Sequence, residues 1–404
     1  MQASRAAASG YIGRMSQASF RPLEGVRVLE FGQIVTAPFC ALLLADFGAD
    51  VVKVENPDGG DGMRQWPPLV AQQDGGERFS ANFASLNRNK RSLVADLKDT
   101  AQVARLRDLC AVADVVLENF RPGVMDRLGL GYEALRALNP KLIYCSLTGY
   151  GQTGPYAKKG AFDVTVQAIS GVMSVTGEEN GPPVKCGVPV ADFTAGLYTA
   201  YTALAAYGQA QRTGKGTHVD CSMLGCMLGI AALQISEYFG TGRAPRRLGS
   251  AHPRNAPYQG FEGSDKPFAI AAGNDKLWAE VCDAVGLSEL RNDARFVTQS
   301  LRARNQHELA ALLQSSFAQR TAGEWLTEFD RRGVPCAPIN DFAEVLADPH
   351  VEAMGIVQDI ALPNGVHTPT VVFPVQLKGY TFEPGVRPPK LGEHTEAVYS
   401  EWLA

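Results

Sequence analysis

The sequence predicts an α/β chain, with a large domain built on a parallel sheet and a smaller α+β domain beyond it. Two observations point there. Short strand-like runs alternate with apolar helical segments from Gly25 to about Gly149, and such alternation builds parallel sheets covered on both faces. The texture then changes at "GTGRAPRRLGSAHPRNAPYQG", which precedes a mixed region from Phe261 to Asp330. A chain of 404 residues, 45% hydrophobic and 20% charged, is long enough for two or three domains and a large core.

The elements follow in order. "VRVLEF" (Val26 to Phe31) reads as the first strand, and "GQIVTAP" as a turn with Pro38 as a first helical residue. "FCALLLADFG" is an apolar helix ending in glycine, and "ADVVKVE" is the next strand. "SLVADL", "DVVLENF" and "KLIYCSLTG" read as further strands, with helices around "QVARLRDLCAVA" and "GYEALRALNP" between them. A helix is expected from Asp192 to about Ala210, where Leu197, Tyr201 and Leu204 recur at helical spacing. "CSMLGCMLGIAALQISEYF", Cys221 to Phe239, reads as one buried helix. Ser222, Gln234, Ser236 and Glu237 interrupt it too often for a membrane span. "GVPCAPIN" is expected to return the chain to the first domain. The expected boundaries are a leader or disordered tail over 1–22, the large domain over 23–215, a linker helix and crossing segment over 216–260, the small domain over 261–330, and the return over 331–404. The segment before Glu24 carries three arginines and no acid, a composition that also suits a mitochondrial presequence.

Composition excludes several classes. The net charge of -4 and the lack of a basic run give no footprint for nucleic acid. The eight cysteines are scattered, as in a reduced cytosolic enzyme, and the six histidines do not cluster at metal-ligand spacing. A dinucleotide site would need three glycines after the first strand, and "FGQIVTAP" has one.

The chemistry-bearing residues lie at strand ends. "NRNKRS" places Lys90 and Arg91 at a strand start, and "ENFRPG" places Asn119 and Arg121 at a strand end. Two basic clusters at ends of one sheet suit an extended anion. "GVPVADFTAG" sets a single acid, Asp192, before a helix among small and apolar neighbours.

Together "ADVVKVE", "NRNKRS", "VVLENFRPG", "YCSLTGYGQTGP", "DVTVQAISG", "TGKG" and "PPKLGEHT" resemble the class III CoA-transferases, a family that includes formyl-CoA and carnitine CoA-transferases and the α-methylacyl-CoA racemases. The resemblance runs from Leu23 to the C-terminus. It implies a Rossmann-like large domain built from both chain ends, a small inserted domain, and an interlocked homodimer. It implies that Asp192 is the catalytic nucleophile and that Lys90, Arg91, Asn119, Phe120, Arg121 and Arg127 bind CoA. Tyr150, Gln152, Phe162, Asp163, His252 and Arg254 are the expected substrate pocket. The implied substrates are an acyl-CoA, best matched by succinyl-CoA, and a dicarboxylic acid, with no tightly bound cofactor, no metal, no nucleic acid and no membrane. The implied location is the cytoplasm in a bacterium or the mitochondrion in a eukaryote. The racemase alternative needs a second proton-transfer group. In that branch a histidine precedes the acid at Asp163, and here Phe162 stands there. A non-catalytic acyl-CoA-binding protein is the alternative of another class.

Overall fold

The computed structural model describes residues 18–72, 75–382 and 385–404. Six parallel strands form the main sheet: β1 (Arg27–Glu30), β2 (Asp50–Glu55), β3 (Lys90–Val94), β4 (Val115–Glu118), β5 (Ile143–Thr148) and β6 (Thr217–Ser222). Their order is β3-β2-β1-β4-β5-β6, that of a doubly wound sheet, in which the chain reverses direction between β1 and β4. The register aligns Val28 with Val51 on one side and Val115 on the other. Every residue of β4 and β5 is buried, which is why these strands read as continuous rather than alternating apolar runs. The edge strand β6 is half exposed, burying Val219 and Cys221. It was not anticipated, because "THVDCS" follows a glycine-rich helix end and has only two apolar residues on its inner face.

Helix α1 (Thr36–Asp46) is buried along most of its length, as its uniformly apolar sequence demands. It begins at Thr36, so Pro38 is its third residue rather than its first. Helix α2 (Thr100–Val112) starts at Asp99, whose side chain accepts from the amides of Ala101 and Gln102. Helix α3 (Asp163–Ile169) is short. Helix α4 (Val190–Thr213) starts two residues before Asp192 and ends at Gly214, whose φ of 71° suits glycine. The C-terminal helix, Thr395–Trp402, buries Val398, Tyr399 and Trp402 in the core beside β3. Ala18–Ser19, within the expected tail over 1–22, pairs with Tyr380–Thr381; residues 1–17 lie outside the described residues.

The chain divides into two compact units. The first comprises 1–166, 189–227 and 354–404, and the second 167–188 and 228–353. The boundaries differ from those read in the sequence. "GVPCAPIN" does not return to the large sheet: its Cys336–Pro338 pairs with Pro267–Ala271 in the second unit, in a three-stranded antiparallel sheet with Tyr258–Glu262. Phe268, Trp278, Phe317, Trp325 and Phe329 form the core of that unit. The stretch from Cys221 to Phe239 is also corrected. Cys221 and Ser222 end β6, and the remainder forms two helices, Met223–Ile230 and Ala232–Thr241, bent by 69°. The second of these buries no residue, and Leu233 and Phe239 are 67% and 79% exposed. Hydropathy alone cannot separate a core helix from an apolar surface helix. Among the described residues no single helix is long and apolar enough to cross a membrane.

Candidate active site

The switch point of the sheet lies between the loops that follow β1 and β4. The loop after β1 is pinned residue by residue. Lys53 donates to Gly32 O at 2.7 Å, Asn119 exchanges two hydrogen bonds with the Gln33 backbone, and Asp61 accepts from Ile34 N. Ile34 has a φ of 67°, a conformation a branched side chain adopts only when its surroundings impose it. The charges that impose it are buried. Glu30 takes Lys53 and Lys90, and Lys53 also takes Asp61. Burial works against the Lys53 charge, but Glu30 and Asp61 win and raise its pKa. Burial likewise works against the Asp61 carboxylate, and Lys53 together with the amides of Met63 and Ile34 outweighs it and holds that pKa low.

This pinned loop delivers Thr36, the first residue of α1, to Asp192 in the first turn of α4. Thr36 Oγ1 donates to Asp192 Oδ1 at 2.5 Å. The two helices meet closely because of Gly196: a Cβ there would lie 2.9 Å from Thr36 O and 2.9 Å from the Phe39 ring. One turn away, Phe39 and Phe193 pack edge to face at 4.8 Å. Asp163 opens α3 and accepts from Ala191 N at 3.0 Å, so its carboxylate fixes the start of α4. Burial raises the pKa of Asp192 and the Asp163 charge adds to that, while the Thr36 hydrogen bond opposes both. The result is a partly buried carboxylate with less solvation than an ordinary aspartate, and therefore a better nucleophile when ionised. Thr36 was not singled out in the sequence. The available signal was a hydroxyl at the first helix start after the first strand.

The other expected residues divide. Lys90 is corrected. Its ammonium is buried and donates to Glu30, Pro38 O and Asn87 at 2.8, 2.8 and 3.0 Å. An ammonium has three donors, so none is left for a phosphate. Burial lowers its pKa to about 8, against the pull of Glu30. Its place is the floor beneath α1. Arg91 is corrected for the same reason: Asp50 and Glu401 hold its guanidinium.

Asn119 lies at the switch point and closes the β1 loop. Phe120 is partly buried against the core, with its amide on Glu118. Arg121 is exposed beside Gly160, and Arg127 lies near Gly123. Among the described residues neither arginine has a carboxylate in ion-pair reach, and both follow β4. Tyr150 packs on Tyr156, and the Gln152 amide donates to Asp220 while its side-chain nitrogen is buried without a partner. Phe162 is 77% exposed. His252 and Arg254 belong to the second unit. There His252 stacks on Tyr258 at 5.0 Å, and Arg254 pairs with Glu237. A cavity of about 670 Å³ also lies in that unit, lined by Glu178, Glu179 and His307 among others. Its three carboxylates, Glu178, Glu179 and Glu262, make it a poor seat for a polyanion, and it contains none of the expected residues.

Fold and site together define a doubly wound α/β enzyme whose candidate reactive group is a carboxylate at the switch point. The profile of CoA-transferase family III matches residues 23–395, and the chain belongs to that family. It is similar to the succinate–glutarate CoA-transferase of Agrobacterium fabrum, at 41% identity over 94% of this chain and 95% of the relative. It is 37% identical to the succinyl-CoA:glutarate CoA-transferase of Homo sapiens, over 95% of this chain and 87% of the relative. Among solved structures it is similar to a CAIB/BAIF family protein from Brucella suis. That match has a TM-score of 0.85 and 42% identity, and covers 95% of this chain and all of that one. The protein is thus a CoA-transferase.

Proposed function

We propose that the enzyme moves CoA from succinyl-CoA to a dicarboxylic acid, with Asp192 as covalent nucleophile. The observation that carries this reading is the carboxylate of Asp192, partly buried at a helix start and held by a single side-chain hydroxyl. Asp192 attacks the thioester, CoA thiolate leaves, and a mixed anhydride forms. The thiolate then attacks the aspartyl carbonyl, expels succinate and leaves an aspartyl-CoA thioester. The acceptor carboxylate reverses these steps. Each intermediate conserves the activation of the thioester. Arg121 and Arg127, two arginines after β4 with no carboxylate in ion-pair reach among the described residues, are the proposed partners of the CoA phosphates, with Asn119 and Phe120 forming the channel wall. The dicarboxylate acceptor is favoured because relatives named for glutarate, mesaconate and citramalate span nearly the whole chain.

Phe162 argues against racemisation, since its side chain cannot carry a proton. A homodimer is part of the proposal. Apolar side chains that one chain leaves exposed, such as Leu233, Phe239 and Tyr201, suit burial by a second copy. Sedimentation at micromolar concentration should give a dimer.

The decisive experiment exposes the enzyme to succinyl-CoA without acceptor. Hydroxylamine should leave a hydroxamate on Asp192, and peptide mapping should place it between Gly187 and Arg212. Asp192→Ala should be folded and lack turnover. A folded variant with a tenth of wild-type turnover, or a label on a cysteine, refutes the mechanism. Deuterium uptake at C2 of a 2-methylacyl-CoA would restore the racemase reading. A panel of dicarboxylates, read as new acyl-CoA by mass, then names the acceptor.

A further inference from the structure

The Asp192 carboxylate has two oxygens, and the structure distinguishes them. Oδ1 accepts from Thr36, a buried hydroxyl delivered by the pinned β1 loop. Oδ2 is therefore the oxygen left to attack an acyl carbon. We propose that Thr36 is a catalytic residue, the oxyanion donor for every step that occurs at the Asp192 carboxyl carbon. The inference rests on Asp192 being the nucleophile.

The electron count assigns the role. Attack by Oδ2 on the thioester places negative charge on the substrate's carbonyl oxygen, out of reach of a donor committed to Oδ1. Thiolate addition to Cγ of the anhydride is different. The new C–S bond pushes the carbonyl π pair onto Oδ1, where the Thr36 O–H already points. Collapse re-forms the Cγ=Oδ1 bond and breaks Cγ–Oδ2, and succinate leaves with that electron pair. Attack of the acceptor carboxylate on the thioester passes through the same oxyanion in reverse, expelling CoA thiolate. No proton changes hands, so Thr36 needs no base. A donor fixed before charge develops needs no reorganisation in the transition state. Its geometry is over-determined: Lys53, Asp61 and Asn119 fix the loop before it, and Gly196 fixes the approach of its helix.

The test compares Thr36→Val, which keeps shape and loses the donor, with Thr36→Ser, which keeps the donor. Circular dichroism and urea midpoints check folding, and Thr36→Ala serves if the valine variant does not fold. Removing an oxyanion donor costs about 10²–10³ in kcat. The expected result is such a loss for Thr36→Val with little change in KM, and recovery of most of it by Thr36→Ser. Acid quench of a single turnover without acceptor gives the second readout. Wild type should retain CoA on Asp192 as a thioester that borohydride reduces. Thr36→Val should stall at the anhydride and release free CoA on quench, while hydroxylamine still labels Asp192. A folded Thr36→Val with kcat within about threefold of wild type overturns the proposal, as does an unchanged ratio of free to bound CoA, or a serine variant no better than valine. Failure of the nucleophile reading shows elsewhere: wild type would give no adduct and Asp192→Asn would turn over, which overturns both.

Discussion

Gly196→Ala is the smallest change that separates placement of the reactive group from stability of the fold. The added Cβ would lie 2.9 Å from the Thr36 carbonyl oxygen, where ordinary contact begins at 3.4 Å. The obstructing atom is backbone, so no rotamer relieves it, and α1 and α4 must separate by about half an ångström. Overpacking costs about 1–3 kcal/mol, and alanine returns about 0.8–1 kcal/mol of helix propensity relative to glycine. The net loss of stability is then at most about 2 kcal/mol. The effect on chemistry is larger. The Thr36–Asp192 hydrogen bond of 2.5 Å spans the same contact and lengthens with it. A misplacement of about 1 Å can cost 10²-fold in rate, so half of that predicts about a tenfold fall in kcat.

The assay is product acyl-CoA by mass under saturating substrates, alongside urea melts of the same preparation. The control is Phe39→Leu in the Gly196→Ala background, which removes the aromatic part of the clash and leaves the carbonyl. It should recover stability more than activity. A Gly196→Ala enzyme with kcat within about twofold of wild type would show that the helix contact does not govern the site. Full recovery of kcat in the double variant would place the constraint on the ring rather than on the Thr36 backbone.

Other outcomes follow from the buried charges. Lys53→Met leaves Glu30 and Asp61 buried without their shared cation and should cost about 3–5 kcal/mol; Lys390→Met, which breaks an exposed pair with Glu77, should cost less than about 1 kcal/mol, both read by urea titration. Glu118 is pushed to about 7 by burial, against hydrogen bonds from Ser146 and Phe120 N. The fold therefore prefers its neutral form, and stability should fall as pH rises from about 4.5 through 7; Glu118→Gln should remove that slope and be more stable than wild type at pH 8, by up to about 3 kcal/mol. Asp163→Asn removes a charge that raises the Asp192 pKa, so the acid limb of kcat/KM should move to lower pH, whereas Thr36→Val removes a stabilising bond and should move it to higher pH.

The legible parts of the fold were those in which local pattern and burial agree. Strands β2, β4 and β5 are buried on both faces, so their runs of Val, Leu and Ile stand out. The small unit was less legible because its third strand, Cys336–Pro338, pairs across more than sixty residues of helix and turn. Within the site, Asp192 was legible as an acid at a helix start and Asp163 only through the family resemblance, and the structure brings them together. Lys90 misled for a physical reason. A lysine at a strand start reads as exposed, but here its four-carbon stem carries the ammonium under α1 to the Glu30 carboxylate. Sequence shows that a cation is present and says nothing of which carboxylate has already claimed it.

The same geometry explains how a nucleotide-type sheet serves a different chemistry. Doubly wound folds bind ligands where the strand order reverses, and dinucleotide enzymes use a glycine-rich turn there to bring pyrophosphate against a helix N-terminus. This chain keeps the strand order and lacks the turn. In its place stands a loop with a strained, non-glycine residue, Ile34, fixed by Asp61, and a helix that starts with Thr36. A phosphate at that helix start would meet the carboxylate of Asp192, which already occupies the Thr36 hydroxyl. The long helix α4 has in effect put a resident anion near the position that a bound anion takes in the nucleotide enzymes. A fixed anion there can attack an acyl carbon but cannot welcome a second one. The proposed seat of the CoA phosphates is therefore elsewhere, at Arg121 and Arg127 after β4, which have no carboxylate in ion-pair reach among the described residues. Charge reversal of both, Arg121→Glu with Arg127→Glu, should therefore raise KM for the acyl-CoA by at least about tenfold. The KM for the carboxylate acceptor and the labelling of Asp192 at saturating donor should stay unchanged. An unaltered acyl-CoA KM would refute this assignment while leaving the role of Asp192 intact.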